Sequence, residues 1–212
     1  MSNDLQDSFA YNGLTANVPG LPAAWYFDPV QHAREMATLW RNNWLYVARS
    51  EGFSKPGAFR TLTIGDQNYL VVRGRSGSLH GFHNTCRHRG SLLCEAVEGQ
   101  LGTSGRIVCP YHQWTSAAED GGLLRTSSFT EPEGFDKSLY GLFQVAIVEW
   151  RGCVFLHPDF DTPWDANNVF QRPADNFANF PLESMVVGHT WHTEMSCNWK
   201  TFWENFNECL HC

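Results

Sequence analysis

The chain has 212 residues, of which 17% are charged, 42% hydrophobic and 14% aromatic, a balance that supports a packed core and excludes a disordered polar chain. A net charge of -7 leaves no basic stripe to neutralise phosphates, so no nucleic acid partner is expected, and an acidic surface disfavours anionic membranes. The polar first twenty residues lack the basic start and apolar core of a signal peptide, and no apolar run reaches the ~18 residues of a membrane span. The expectation is a cytoplasmic protein with no membrane partner.

Asp28 before Pro29 is a helix-start signal, because the Asp side chain can cap free amides and proline has no amide to leave unpaired. Val30, Ala33, Ala37 and Trp40 follow at helical spacing and predict a helix to about Asn42. From Trp44 to His157 the texture changes to short β-prone runs at 70–72, 79–82, 107–108 and 145–148, separated by turn-rich pieces such as 74–77 and 119–122. A small antiparallel β domain is the reading. Residues 158–181, with prolines among Asp and Asn, read as a linker or irregular crossing segment.

Residues 185–191 are a further strand candidate. Over 198–212, Phe202, Phe206 and Leu210 stand four apart, as on an amphipathic helix, with Glu204, Glu208 and His211 on another stripe. The fold class expected is therefore α+β. Its parts are a helical segment at 1–43, a β domain at 44–160 and the beginning of a second domain at 161–212.

Chemistry concentrates in two short motifs. Cys86-Arg87-His88-Arg89-Gly90 and Cys109-Pro110-Tyr111-His112 each pair a thiol with an imidazole, and 20 residues separate His88 from Cys109. Each follows a predicted strand, so two loops at hairpin tips could clamp one [2Fe-2S] cluster, two cysteines on one iron and two histidines on the other. Neutral imidazole in place of thiolate raises the potential, and its second nitrogen can carry a proton or hydrogen bond outward. The plainer alternative is a structural zinc site, since Cys₂His₂ also binds zinc; zinc knuckles, however, open with Cys-x₂₋₄-Cys, and this ligand order is not theirs. The seven cysteines, an odd number without an export signal, argue for ligation and burial rather than a disulfide framework. Cys94 and Cys153 fit no ligand position and read as buried thiols.

The motif resembles the Rieske family, and the likeness extends to Gln113-Trp114, Asp120-Gly121 and Trp150-Arg151-Gly152. Respiratory members of that family add a disulfide between the cluster loops, at positions that here are Ser91 and Tyr111, so the resemblance implies the low-potential branch of oxygenases and their ferredoxins. Asn198-Trp199-Lys200 and the run from Glu204 to Cys212 look like the start of the mononuclear-iron motif in the α subunit of Rieske non-haem iron oxygenases. The N-terminal portion of such a subunit is implied, with an α/β helix-grip catalytic domain of which only the first strand and helix are present.

The resemblance implies that Glu208 bridges the two metal sites for electrons and that His112 hydrogen-bonds to it across a subunit interface. His211 would be the first ligand of an Fe(II) whose remaining ligands fall after Cys212. His189 and His192 match none of them. It further implies electrons from NAD(P)H through a separate flavin and iron-sulfur reductase, O₂ and a small-molecule substrate, and a homotrimer, α3 or α3β3. The segment Glu208-Cys209-Leu210-His211-Cys212 is similar to the branch acting on quaternary ammonium compounds, in which Tyr is common where Leu210 stands. Hydroxylation of aromatic rings or O-demethylation is the alternative reaction, and a Rieske ferredoxin-like electron carrier the alternative of another class. Cys209 and Cys212 alone, without a second pair, make no zinc site.

Overall fold

The architecture follows from short, strongly apolar strands punctuated by glycine turns. In the computed structural model, residues 20–102, 105–127, 131–170 and 177–207 are described. They divide into two compact units, one of Glu35–His192 and one of Met1–Arg34 with Thr193–Cys212.

Ten strands, all paired antiparallel, make up the larger unit: β1 (Leu45–Arg49), β2 (Ala58–Ile64), β3 (Gln67–Arg73), β4 (Leu79–His83), β5 (Glu98–Gln100), β6 (Arg106–Val108), β7 (Thr115–Ala117), β8 (Leu123–Arg125), β9 (Gln144–Trp150) and β10 (Cys153–His157). Seven form a sheet in the order β1-β10-β9-β4-β3-β2-β5, and β6-β7-β8 form a second, smaller one. Turn chemistry sets the registers. Between β9 and β10 the pair Trp150–Cys153 closes on Arg151 and Gly152, whose φ values of 47° and 75° meet the requirement of a type I′ hairpin for two left-handed residues.

Strand β3 explains why the core has two parts. Its run Tyr69-Leu70-Val71-Val72 is buried throughout, because both faces of the sheet are covered. Tyr69 and Val71 join Ala48, Phe53, Val145, Val154 and Leu156 on one side. Leu70 and Val72 join Phe59, Phe82, Leu93, Ile107, Ala118 and Leu142 on the other, and that second cluster also holds Cys86 and Cys109. The two thiols of the motif are thus part of the hydrophobic interior.

Several expectations are corrected. The N-terminal helix is shorter than its periodicity implied: α1 (Pro29–Glu35) passes into a wider turn at Met36–Trp40, though Asp28 caps it as expected, Oδ1 accepting the Val30 N–H at 2.9 Å. Residues 158–181 are no mere linker. They contain α2 (Ala166–Phe170), and Trp164 and Phe170 pack on Phe155 and Trp150, with Trp164 edge-on to Trp44 at 5.1 Å. Aromatic area, which neither periodicity nor turn signals register, holds this segment to the sheet. Residues 185–191 form no strand: among the described residues no neighbouring edge pairs with them, and a strand exists only within a ladder. His189 and His192 are exposed.

In the smaller unit, α3 (Trp199–Asn207) starts at Asn198, whose Oδ1 accepts the Lys200 N–H at 3.1 Å while its Nδ2 donates to the Tyr26 carbonyl at 3.0 Å. The Tyr26 hydroxyl donates to Glu204. Phe202 and Phe206 stack one turn apart with ring centroids at 4.4 Å, the stripe predicted from their spacing. Glu208, Cys209, Leu210, His211 and Cys212 lie outside the described residues. No helix among the described residues is long and apolar enough to cross a membrane.

Candidate iron-sulfur centre

The two loops that carry the motif share one backbone design. The Cys86 N–H donates to the Ser91 carbonyl at 2.8 Å and the Cys86 carbonyl accepts from Gly90 at 3.0 Å. The Cys109 N–H donates to the Trp114 carbonyl at 2.8 Å and its carbonyl accepts from Gln113 at 2.9 Å. Each loop is therefore a single turn opened by cysteine and ended, four residues on, by a left-handed residue: Gly90 at φ 73° and Gln113 at φ 60°. Glycine adopts this conformation without penalty, whereas Gln113 does so at a cost.

The loops have different parents. The second, 109–114, is the tip of the β6–β7 hairpin, as expected. The first is not a hairpin tip: β4 and β5 do not pair, and β5 lies at the far edge beside β2, so the chain between them spans the sheet. Buried polar bonds fix its course instead. Asn84, fully buried, donates from Nδ2 to Asn68 Oδ1 at 2.7 Å and to the Cys94 carbonyl at 2.6 Å, and its Oδ1 accepts the N–H groups of Leu93 and Cys94 at 3.2 and 2.9 Å. Arg87 donates to the Gly141 carbonyl at 2.7 Å and lies 4.0 Å over the Phe143 ring. Sequence reasoning missed Asn84, which follows the mixed strand Leu79-His80-Gly81-Phe82-His83 and carries no signal of its own.

All four motif side chains are brought together as two pairs. The Nδ1 atoms of His88 and His112 face each other at 3.2 Å, their ring centroids 4.9 Å apart. Cys86 and Cys109 are buried, 4% and 2% exposed, and share one hydrophobic core cluster. Trp114 stacks on His88 with centroids at 4.7 Å and planes within 9°, and Tyr140 and Phe135 pack edge-on against Trp114. A residue of the second loop thereby holds the histidine of the first.

The donor set suits a two-iron cluster. Imidazole nitrogens bound tetrahedrally to one metal at about 2.0–2.1 Å stand roughly 3.3–3.4 Å apart, close to the observed 3.2 Å. A set of two cysteines and two histidines can serve two irons, with the thiolates on one and the imidazoles on the other. Burial pushes the Cys86 thiol up, against the N–H groups of His88 and Arg89, so its thiolate needs a cationic partner. Desolvation, then His112 and the Arg89 charge, hold His88 below the usual histidine range and favour the neutral, ligating form. These residues could hold the cluster.

Residues 43–131 match the model of the Rieske [2Fe-2S] domain. The chain carries a Rieske domain. Residues 182–212 match the model of the ring hydroxylating α subunit catalytic domain, so the Rieske domain is joined here to a segment of that second family. The glycine betaine monooxygenase oxygenase subunit of Chromohalobacter salexigens is 36% identical over 91% of this chain and 42% of its own length. The chloroplastic choline monooxygenase of Beta vulgaris is 29% identical over 87% of this chain and 41% of its own. Among solved structures, the apo form of the quaternary ammonium Rieske monooxygenase CntA superposes with a TM-score of 0.79 at 26% identity, covering 91% of this chain and 55% of that one. Naphthalene 1,2-dioxygenase from Rhodococcus sp. gives 0.61 at 25% identity, over 69% and 33%. The chain spans about half the length of the proteins it matches.

The other cysteines stand apart. Burial pushes the Cys94 thiol up to about 11, and it packs against the cluster core, though Cys94 and Cys153 are only partly buried where full burial was expected. Cys153 accepts from Arg49 Nη1 at 2.9 Å, and Cys197 is exposed.

Proposed function

We propose that Cys86, His88, Cys109 and His112 hold the Rieske cluster, and that the protein passes single electrons from a reductase to a mononuclear iron that oxidises a quaternary ammonium compound with O₂. The observation that carries the reading is the pair of facing Nδ1 atoms at 3.2 Å, each histidine in the same short loop as a buried cysteine. When bound, the cluster supplies a one-electron relay at a potential raised by its two imidazoles.

The chain's own groups serve that relay in distinct ways. Buried sulfurs keep water from the thiolate side, while His88 is exposed and His112 half-buried, so the imidazole side is where electrons enter and leave. With Nδ1 turned inward, Nε2 is the atom of each ring that can hold a proton or a hydrogen bond to a partner group. Glu208 is the acid we assign to that bond, reaching the His112 of a neighbouring subunit in a homotrimer, and His211 is a ligand of the iron beyond it. Three residues apart, Glu208 and His211 share one helical face if α3 continues through them.

The substrate class rests on similarity. The relatives named for glycine betaine and choline align over nearly the whole chain, and the CntA fold agrees over more of it, at a higher TM-score, than that of naphthalene dioxygenase. The test is turnover by the chain extended to the length of these relatives, with reductase, NADH and O₂. Glycine betaine, choline and carnitine are each supplied, and substrate-dependent O₂ uptake is measured. Uptake with one of the three is expected, and a Glu208→Ala variant should keep the cluster's visible spectrum while losing it. Uptake only with an aromatic substrate would move the protein to the ring-hydroxylating branch, and undiminished turnover in the variant would remove Glu208 from the electron path.

A further inference from the structure

The small sheet, beside the second cluster loop, carries two arginines that no acid among the described residues neutralises. Arg106 on β6 is registered with Ala117 of β7 and Arg125 on β8 with Thr115, where the β7–β8 pairing shifts register, and both arginines line one cavity. Both are exposed, and neither guanidinium has an acid or hydrogen-bond partner among the described residues. Together with Val108, Gln113, Thr115, Thr126 and Ser127 they line a cavity of about 270 Å³. Gln113 belongs to the second cluster loop and directly follows His112, so the cavity borders that loop. The neighbouring acid is already engaged: Glu131 binds Lys137 at 2.9 Å and accepts from the Thr126 hydroxyl at 2.9 Å.

A local cationic site on a chain of net charge -7 selects an orientation. An acidic partner is repelled by most of the surface and attracted where Arg106 and Arg125 line one cavity, which steers encounter toward that site. Arginine suits the task, since its planar fork binds a carboxylate through two parallel N–H groups. The cavity has room for the tip of an Asp or Glu side chain and the several waters it would displace, at ~30 Å³ each.

We propose that Arg106 and Arg125 form the docking site for an acidic electron-donor protein, whose surface carboxylates they bind so that one electron passes to the centre at His88 and His112. The reduced donor loses one electron and the oxidised cluster gains it; no proton or atom is transferred. The inference rests on the Rieske reading and adds to it the surface and the charge of the partner.

The test uses the cluster-loaded chain and, as probe, a small acidic [2Fe-2S] ferredoxin reduced beforehand, with electron transfer followed by stopped-flow absorbance at low and high salt. Arg106→Glu together with Arg125→Glu is expected to slow the bimolecular rate at low salt at least tenfold and to abolish most of its salt dependence. Lys55→Glu, a charge reversal elsewhere on the surface, is expected to stay within twofold. Reduction by dithionite and the visible circular dichroism should be unchanged in all variants. An unchanged ferredoxin rate in the double variant, with an intact spectrum, overturns the docking site and leaves the cluster assignment standing. Absence of a mixed-ligand cluster spectrum from the unmodified chain overturns the cluster assignment itself, and the docking inference with it.

Discussion

Replacing Asn84 tests whether the first cluster loop is held by buried hydrogen bonds rather than by its own sequence. The side chain is fully buried and makes four bonds, two donated to Asn68 Oδ1 and the Cys94 carbonyl and two accepted from Leu93 and Cys94. Asn84→Ala removes all four and strands their partners in the interior. Orphaned buried groups cost about 1–3 kcal/mol each, so with half of them finding water the loss is about 3 kcal/mol, at the upper end for a single substitution. For a unit of this size that is roughly 6–12 °C in the thermal midpoint. The assay is a near-ultraviolet circular dichroism melt of the cluster-loaded protein at fixed occupancy, paired with the half-life of the visible cluster spectrum under a chelator, which should shorten. Asn84→Leu is the decisive companion, because it restores volume but no hydrogen bond. If Leu recovers the midpoint that Ala loses, the effect is a cavity and the hydrogen-bond argument is wrong.

Two further outcomes follow from local geometry and charge. Gln113→Gly relieves a left-handed residue in the second loop, where the equivalent loop has Gly90, and should be neutral to about 1 kcal/mol stabilising, while Gly90→Ala should cost about 1–2 kcal/mol; denaturant midpoints of the loaded protein decide. For Glu119, burial alone would raise the carboxyl, but the Ser76 hydroxyl, the N–H groups of Ser76 and Arg75 and the nearby His80 outweigh it and hold the group below its usual range. Its stabilisation is therefore complete above the unfolded value of about 4.3 and fades as pH falls through the lower folded value. Glu119→Gln should melt lower at neutral pH yet lose less on acidification than the unmodified chain, and parallel melting curves from pH 6 to 3 would contradict this.

Chemistry confined to a few consecutive residues was legible from the sequence. Cys86, His88, Cys109 and His112 stand out as candidate ligands because metal ligation restricts residue type and order, and the turn-rich piece at 74–77 stands out because backbone sterics are local. Asp28 was legible as a helix start for the same reason, and its carboxylate accepts an amide two residues on, as Asn198, not singled out from the sequence, does for α3. What only the tertiary structure decided is which distant pieces meet: Trp114 against His88, Asn84 beneath the first loop, Tyr26 on Asn198 and Glu204, and Trp164 on the sheet that residues 158–181 were expected merely to leave. The strand expected at 185–191 failed from the same cause, since ladder partners are chosen by the assembled sheet. Local rules set φ, ψ and ligand spacing, but aromatic burial and buried hydrogen bonds gain their free energy only between segments far apart in the chain, where no spacing along the sequence encodes the pairing.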